Sequence, residues 1–251
     1  MLCDSHLHIA ECENFIPDYL CCSCAHSKSE FLIQEEISLR SSGNVLCAFG
    51  LHPQNPSLDS IDFLEALLVQ KRIFAVGETG FDFFTPGLKA CAFAQKKAFE
   101  ACLELSAEHK VPLVVHDRKA LDLVFFYSSR LKKCVSVVFH SFAFTSRDAF
   151  SILRHGINAY FSFGKPLING NKKSIGCIKE LPAERILLET DAPYQTLKGE
   201  ERTYPAQIEQ VYEKACEIRG VNKKVLEDSL LENFKAAFCI SQDFSCLKSG
   251  C

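Results

Sequence analysis

Asp4, His6 and His8 stand two residues apart in the stretch LCDSHLHIA. In an extended strand, residues i and i+2 face the same side. The spacing therefore predicts an acid and two imidazoles projecting together from a segment that opens as a buried strand. Further along, GLHPQ carries His52, GETGFD carries Glu78 and Asp82, and PLVVHDR carries His116, Asp117 and Arg118. VSVVFH ends in His140, and RILLETDAP holds Glu189 and Asp191. Singly, each has an ordinary explanation: a strand-ending histidine is commonly a hydrogen-bonded structural residue, and an aspartate after a strand commonly caps the next helix. Together, His6, His8, His116 and His140 with one glutamate and one aspartate from these strand ends form a mixed nitrogen and oxygen donor set of the kind that suits Zn2+, Mn2+, Fe or Co. Six donors exceed one tetrahedral site and suit two ions about 3.5–4 Å apart with a carboxylate between them. His26, His109 and His155 fall at a loop or in helical stretches and are expected to stand outside this set.

The elements that must position these residues are short apolar runs alternating with helix-like stretches. The runs are MLCDS, YLCCSC (19–24), VLCAFG (45–50), IFAVGE (73–78), VPLVVH (111–116), VSVVFH (135–140), NAYFSF (158–163) and RILLET (185–190). Continuous apolar runs suit strands buried on both faces, as in parallel sheets. FAQKKAFEACLELSAEH (93–109) has apolar residues at helical period. Eight runs alternating with helices predict an α/β fold, a single (β/α)8 barrel over 1–251, with an open doubly wound sheet as the alternative. The first crossover, HIAECENFIPD, is too short for an ordinary helix, and 222–238 reads as one or two closing helices. The tail beyond about residue 240 is expected to be frayed. The donor residues would then sit at the C-terminal strand ends, the rim where such barrels build active sites.

The 251 residues are 47% hydrophobic and 24% charged, with a net charge of −3. No long basic run exists, so the whole-protein field will not strongly attract nucleic acid, and phosphate affinity must come from a local site. No segment approaches about 18 apolar residues, so no membrane span is expected. The start MLCDSHLH lacks the features of a signal peptide, which makes the cytoplasm the expected compartment. In that setting the fourteen cysteines are expected as free thiols. The CCSC cluster places Cys22 and Cys24 on one strand face and Cys21 on the other. No second ligand pair at zinc spacing accompanies it, so these thiols are expected to serve as small buried hydrophobes. GETG is too short for a phosphate-binding or dinucleotide loop.

Beyond this reading, the sequence resembles the TatD family of metal-dependent hydrolases, within the amidohydrolase-like barrels. The matching motifs are DSHLH (4–8), GLHPQ (50–54), GETGFDFF (77–84), PLVVHDR (112–118), FHSF (139–142) and LLETDAPY (187–194), with ENFKAAF (232–238) matching the closing segment and Gln95 also fitting. The resemblance spans essentially the whole chain. It implies a barrel with two divalent ions (Mg2+, Mn2+, Co2+ or Zn2+) and deoxyribonuclease activity. It further implies that His6 and His8 bind the first ion, Glu78 bridges, His116 and His140 bind the second, and Asp191 completes the site and orients the attacking water. His52 and Arg118 would contact substrate phosphate. HSFAFTS and QTLKGEERTYP depart from the family pattern, so the substrate-facing loops are the altered part.

The expected activity is metal-dependent, 3'-5' exonuclease-like hydrolysis of DNA phosphodiester bonds at single-stranded ends. The expected enzyme is a monomer with no obligate protein partner. Amide or ester cleavage by the same centre is the alternative. Many such hydrolases carry a modified lysine after the fourth strand, where Glu78 stands here, which favours the phosphodiester. A barrel that has lost catalysis is the third reading, and the complete donor set argues against it. FDFF (81–84) places aromatics just after Glu78, where one could stack on a terminal base or simply pack the loop.

Overall fold

A computed structural model describes residues 1–13 and 15–240; the tail expected to fray lies outside the described residues. Eight strands follow in chain order: β1 (Cys3–Leu7), β2 (Leu20–Ala25), β3 (Val45–Phe49), β4 (Ala75–Asp82), β5 (Leu113–Arg118), β6 (Val137–Phe139), β7 (Ala159–Phe163) and β8 (Ile186–Leu188). Each pairs in parallel with the next. The seam between β8 and β1 closes just past the strand ends, where Asp191 N–H donates to His6 O (2.9 Å) and His8 N–H donates to Ala192 O (2.7 Å). Sequential parallel order with a closed seam is the eight-stranded α/β barrel, and it excludes the doubly wound alternative, whose strand order reverses at a switch point.

The helices among the described residues are α1 (Lys28–Arg40), α2 (Ile61–Val69), α3 (Pro86–Ala90), α4 (Ala92–His109), α5 (Leu121–Phe126), α6 (Ser128–Leu131), α7 (Ser146–Arg154), α8 (Lys172–Glu180), α9 (Ile208–Arg219) and α10 (Lys223–Ala237). As the sequence predicts, the described residues of the first crossover hold a 3-10 turn, Ile9–Glu11, and no α-helix. The long helix after the fourth strand buries Ala98, Phe99, Cys102 and Leu103 along one stripe and stops at Lys110, whose φ of 55° is left-handed. Ser27 caps α1 by accepting from Glu30 N–H, satisfying one of the free amides of the first turn.

Alternation along the strands separates two apolar layers. Leu20, Cys22, Cys24, Leu46, Ala48, Val114, Val138 and Leu187 fill the barrel, and Phe234 and Ala237 of α10, with Phe238 just after it, close its floor. Cys21, Val45, Cys47, Phe49, Leu113 and Val115 face the helices. The opposed faces expected for Cys22/Cys24 and Cys21 are therefore present. All twelve described cysteines are free, and most are buried. Small thiols suit the narrow interior, where a larger side chain would overpack. No described helix is long and apolar enough to cross a membrane.

Candidate metal centre

The barrel filling stops short of the C-terminal rim. The same inward alternation, carried past it, delivers the polar residues: Cys24 is followed by His26, Val114 by His116, and Val138 by His140. Their imidazoles converge on one carboxylate, Glu78, which is buried at the middle of β4. Glu78 Oε1 lies 2.6 Å from His116 Nδ1, 2.6 Å from His140 Nε2 and 3.3 Å from His52 Nε2. Glu78 Oε2 lies 3.3 Å from His6 Nε2, 3.7 Å from His8 Nε2 and 3.5 Å from His26 Nε2. Asp191 Oδ1 approaches His8 Nε2 at 3.5 Å and His6 Nε2 at 3.6 Å.

Two glycines let β4 press Glu78 into this position. A Cβ on Gly77 (φ +144°) would lie 2.5 Å from Val114 O, and one on Gly80 (φ +142°) would lie 2.0 Å from His116 O. Only glycine adopts such φ values without steric cost and allows β5 this close. Asp191 also has a positive φ, 55°, within a turn closed by Tyr194 N–H donating to Asp191 O (2.7 Å). Gln195 Nε2 donates to Asp191 Oδ2 (2.9 Å) and to Ser141 Oγ (2.7 Å), fixing the carboxylate from the solvent side.

The outward nitrogens of two histidines are committed. His8 Nδ1 faces Cys24 O at 3.1 Å, and His116 Nε2 faces Asp82 Oδ2 at 3.2 Å. With a proton on each of those nitrogens, the site-facing nitrogen of the neutral ring presents a lone pair, the arrangement that ligating histidines need. Asp82 is itself held by Gln54 Nε2 on Oδ2 (2.8 Å), by Phe84 N–H on Oδ1 (2.9 Å), and by Gln95, which accepts from its amide (2.9 Å).

Burial works against the charge of Glu78. His140 and His52, with hydrogen bonds from His116 and His140, outweigh it and hold the carboxyl well below the ordinary range. Burial also lowers His8 and His116. Hydrogen bonds donated by His8 to Asp191, and by His116 to Asp82 and Glu78, overcome it and raise both to about 9. His6, with burial and His140 acting together, falls to about 3. Protons on His8 and His116 are those an arriving cation would displace.

The donor set therefore fits divalent cations. His6, His8 and Glu78 form one compact group, Glu78, His116 and His140 a second, His6, His140 and Asp191 a third that spans the two, and His26, His52 and Glu78 a fourth at the mouth. Glu78 Oε2 is buried without a hydrogen-bond partner, an orphan that a cation would satisfy.

All six residues expected to form the centre come together here, and His52 joins them at contact distance. Arg118 stands outside the nest: its side chain is 44% exposed and its Nη1 is 4.0 Å from Asp82. Two expectations are corrected. Asp4 does not project with His6 and His8, because the pairing with β2 shifts register between Asp4 and Leu7. Its carboxylate instead accepts from Thr190 N–H (3.0 Å) and Thr190 Oγ1 (2.6 Å), clasping β1 to the segment after β8. His26, expected to stand apart, lies directly after β2 and enters the nest, with His52 4.6 Å away between ring centroids. The alternation Leu20, Cys22, Cys24 was the signal that reaches it.

A family model described as TatD related DNase matches residues 3–239. The chain belongs to the TatD family. Among its relatives, the metal-dependent hydrolase YabD of Bacillus subtilis is 29% identical over 209 residues, 78% of each chain. The 3'-5' ssDNA/RNA exonuclease TatD of Pantoea ananatis is 29% identical over 202 residues, covering 75% of this chain and 76% of its own. The crystal structure of the TatD homologue YJJV from Escherichia coli superposes with a TM-score of 0.82 over 96% of this chain and 98% of that one, at 23% identity. This TatD protein is a metal-dependent hydrolase built on the family's barrel.

Proposed function

We propose that this TatD protein hydrolyses DNA phosphodiester bonds, removing nucleotides from single-stranded ends. The observation that carries the reading is the pairing of the carboxylate-centred nest with a cationic, aromatic rim on the adjoining strand ends. Arg118 Cζ lies 4.2 Å and Lys119 Nζ 4.3 Å from the Phe84 ring centre. Phe84 is 51% exposed, whereas Phe81 is buried in the core and Phe83 packs against it. Of the three aromatics, Phe84 alone is placed to meet a strand, and it does so while pinning two cations that suit a phosphate backbone. The family description and the exonuclease named among the relatives support the same class.

In this reading His6, His8, Glu78 and Asp191 would hold one divalent ion, and Glu78, His116 and His140 would hold the other. Bound there, such ions lower the pKa of water and neutralise charge on a phosphoryl group. Asp191, whose side chain is 11% exposed at the mouth, orients the attacking water and takes its proton. His52 donates from Nε2 to a phosphate oxygen, because its Nδ1 accepts Gln54 N–H (3.3 Å). Arg118 grips a further oxygen. With a net charge of −3, contacts confined to a few nucleotides give a shallow salt dependence.

The test compares end-labelled single strands, closed circular single strands and amide substrates, each with Mg2+, Mn2+, Co2+ or Zn2+. Stepwise loss of nucleotides from linear strands, abolished by chelator, is expected. Rapid cleavage of circles would refute the exonuclease mode. Amide hydrolysis with intact DNA would overturn the nuclease reading.

A further inference from the structure

His26 and His52 are the two imidazoles of the nest left over once His6, His8, His116 and His140 are assigned. Both turn Nε2 toward Glu78, His26 at 3.5 Å from Oε2 and His52 at 3.3 Å from Oε1. They form the mouth: their side chains are 22% and 16% exposed, against 0% for His6 and 3% for His140. His26 Nε2 itself is buried and has no hydrogen-bond partner. The backbone at this point is firmly set, since His26 N–H donates to Glu30 Oε2 (2.8 Å) within the capping turn of α1. The ring that this backbone presents carries a buried nitrogen, turned toward Glu78, that no protein group satisfies.

The tautomer of His52 points to what would satisfy that nitrogen. The backbone N–H of Gln54 occupies its Nδ1 lone pair, so the proton of the neutral ring is on Nε2. A protonated Nε2 cannot ligate a cation, and it donates to an anion. Beside it, with ring centroids 4.6 Å apart, stands the Nε2 of His26. With its proton on Nε2, His26 would join His52 in presenting two N–H donors above the two oxygens of Glu78, a spacing that matches two oxygens of one tetrahedral oxyanion.

We propose that His26 and His52 form an oxyanion-binding pair that takes two oxygens of one phosphate group, which makes His26 a substrate-contacting residue. This deepens the phosphodiester reading and rests on it. A third cation held by the same pair is the competing occupant, and the His52 tautomer stands against it.

The test uses the metal-loaded chain with inorganic phosphate as the probe, followed by calorimetry, alongside elemental analysis of bound metal and KM and kcat on a short end-labelled strand. His26→Ala should keep its two cations and bind phosphate about tenfold more weakly, the size of one hydrogen bond to a charged group. His26→Gln, which returns an N–H at similar reach, should recover to within about threefold of the parent. Phosphate affinity in His26→Ala within twofold of the parent would overturn the pair. So would a third equivalent of metal in the parent that His26→Ala lacks. Phosphate affinity that follows His26 while DNA stays intact would instead overturn the nuclease reading and leave the oxyanion pair standing.

Discussion

Replacing Asp82 by Asn removes one charge and changes no shape, and its effect can be worked from the hydrogen bonds. Oδ1 of Asp82 accepts Phe84 N–H at 2.9 Å, while Oδ2 accepts Gln54 Nε2 at 2.8 Å and His116 Nε2 at 3.2 Å. All three partners are donors, and a carboxylate meets them with acceptors on both sides. A carboxamide has one acceptor and one donor group. In one orientation its NH2 faces Phe84 N–H; in the other it faces both Gln54 and His116. The second favours the proton on His116 Nδ1, the nitrogen that points at Glu78 Oε1, 2.6 Å away, and that would have to bind the ion. A charge-assisted hydrogen bond is worth about 1.5–3 kcal/mol, which corresponds to a tenfold to roughly 150-fold change in affinity. Loss of a carboxylate behind a ligating histidine falls in the same range, about 10–100-fold. Calorimetric titration of the metal-free protein should therefore show one site weakened by at least about tenfold. The site on His6 and His8, which lacks contact with Asp82, should change by less than about threefold. If both sites of a folded Asp82→Asn protein match the parent within twofold, Asp82 does not set the His116 tautomer and the reasoning fails.

Gly80→Ala would set a Cβ 2.0 Å from His116 O, across the pair that aligns β4 with β5. We expect a loss of at least about 3 kcal/mol, seen as a drop of roughly 6–12 °C in the melting midpoint, together with loss of metal binding. Arg118→Ala should cut cleavage of single strands by about tenfold or more, with the bound metal, measured by elemental analysis, unchanged. Alkylation under denaturing conditions followed by mass measurement should find all twelve described cysteines free, and a stable native disulfide among them would contradict the buried-thiol reading.

The barrel was legible because a parallel sheet covered on both faces needs apolar residues at consecutive positions. Each of the eight runs became a strand, and the one connection too short for a helix holds none among its described residues. Lengths were less visible. The run ending at Glu78 continues to Asp82, because Gly77, Thr79 and Gly80 carry no apolar signal although the strand passes through them. Asp4 was misplaced for a related reason. Strict alternation predicts its direction only while pairing stays in register, and the irregularity between Asp4 and Leu7 breaks it. What holds Asp4 is Thr190, 186 residues away, a contact that short-range patterning does not reach.

The site shows the same logic from the other side. His116 and His140 were found because each ends an apolar run, so composition marks the strand and the polar residue marks its rim. His26 was missed because the visible run ends at Cys24, with Ala25 interposed. Yet Leu20, Cys22 and Cys24 all fill the barrel interior, and the next residue of that parity is His26. His52 follows Leu46 and Ala48 by the same count, through Gly50. Inward parity carried past the last apolar residue, one step to His26 and two to His52, therefore reaches both histidines of the mouth; the GLHPQ motif marks His52 as well, whereas parity is the signal for His26. The count also separates them from Arg118. It shares parity with Val114 and His116, but it lies one pleat further out, beyond the carboxylate's reach. From there it meets Asp82 and the Phe84 ring. Distance along the pleat, about 3.3 Å per residue, thus divides the inward residues into a tier that surrounds Glu78 and a tier that meets what enters from solvent.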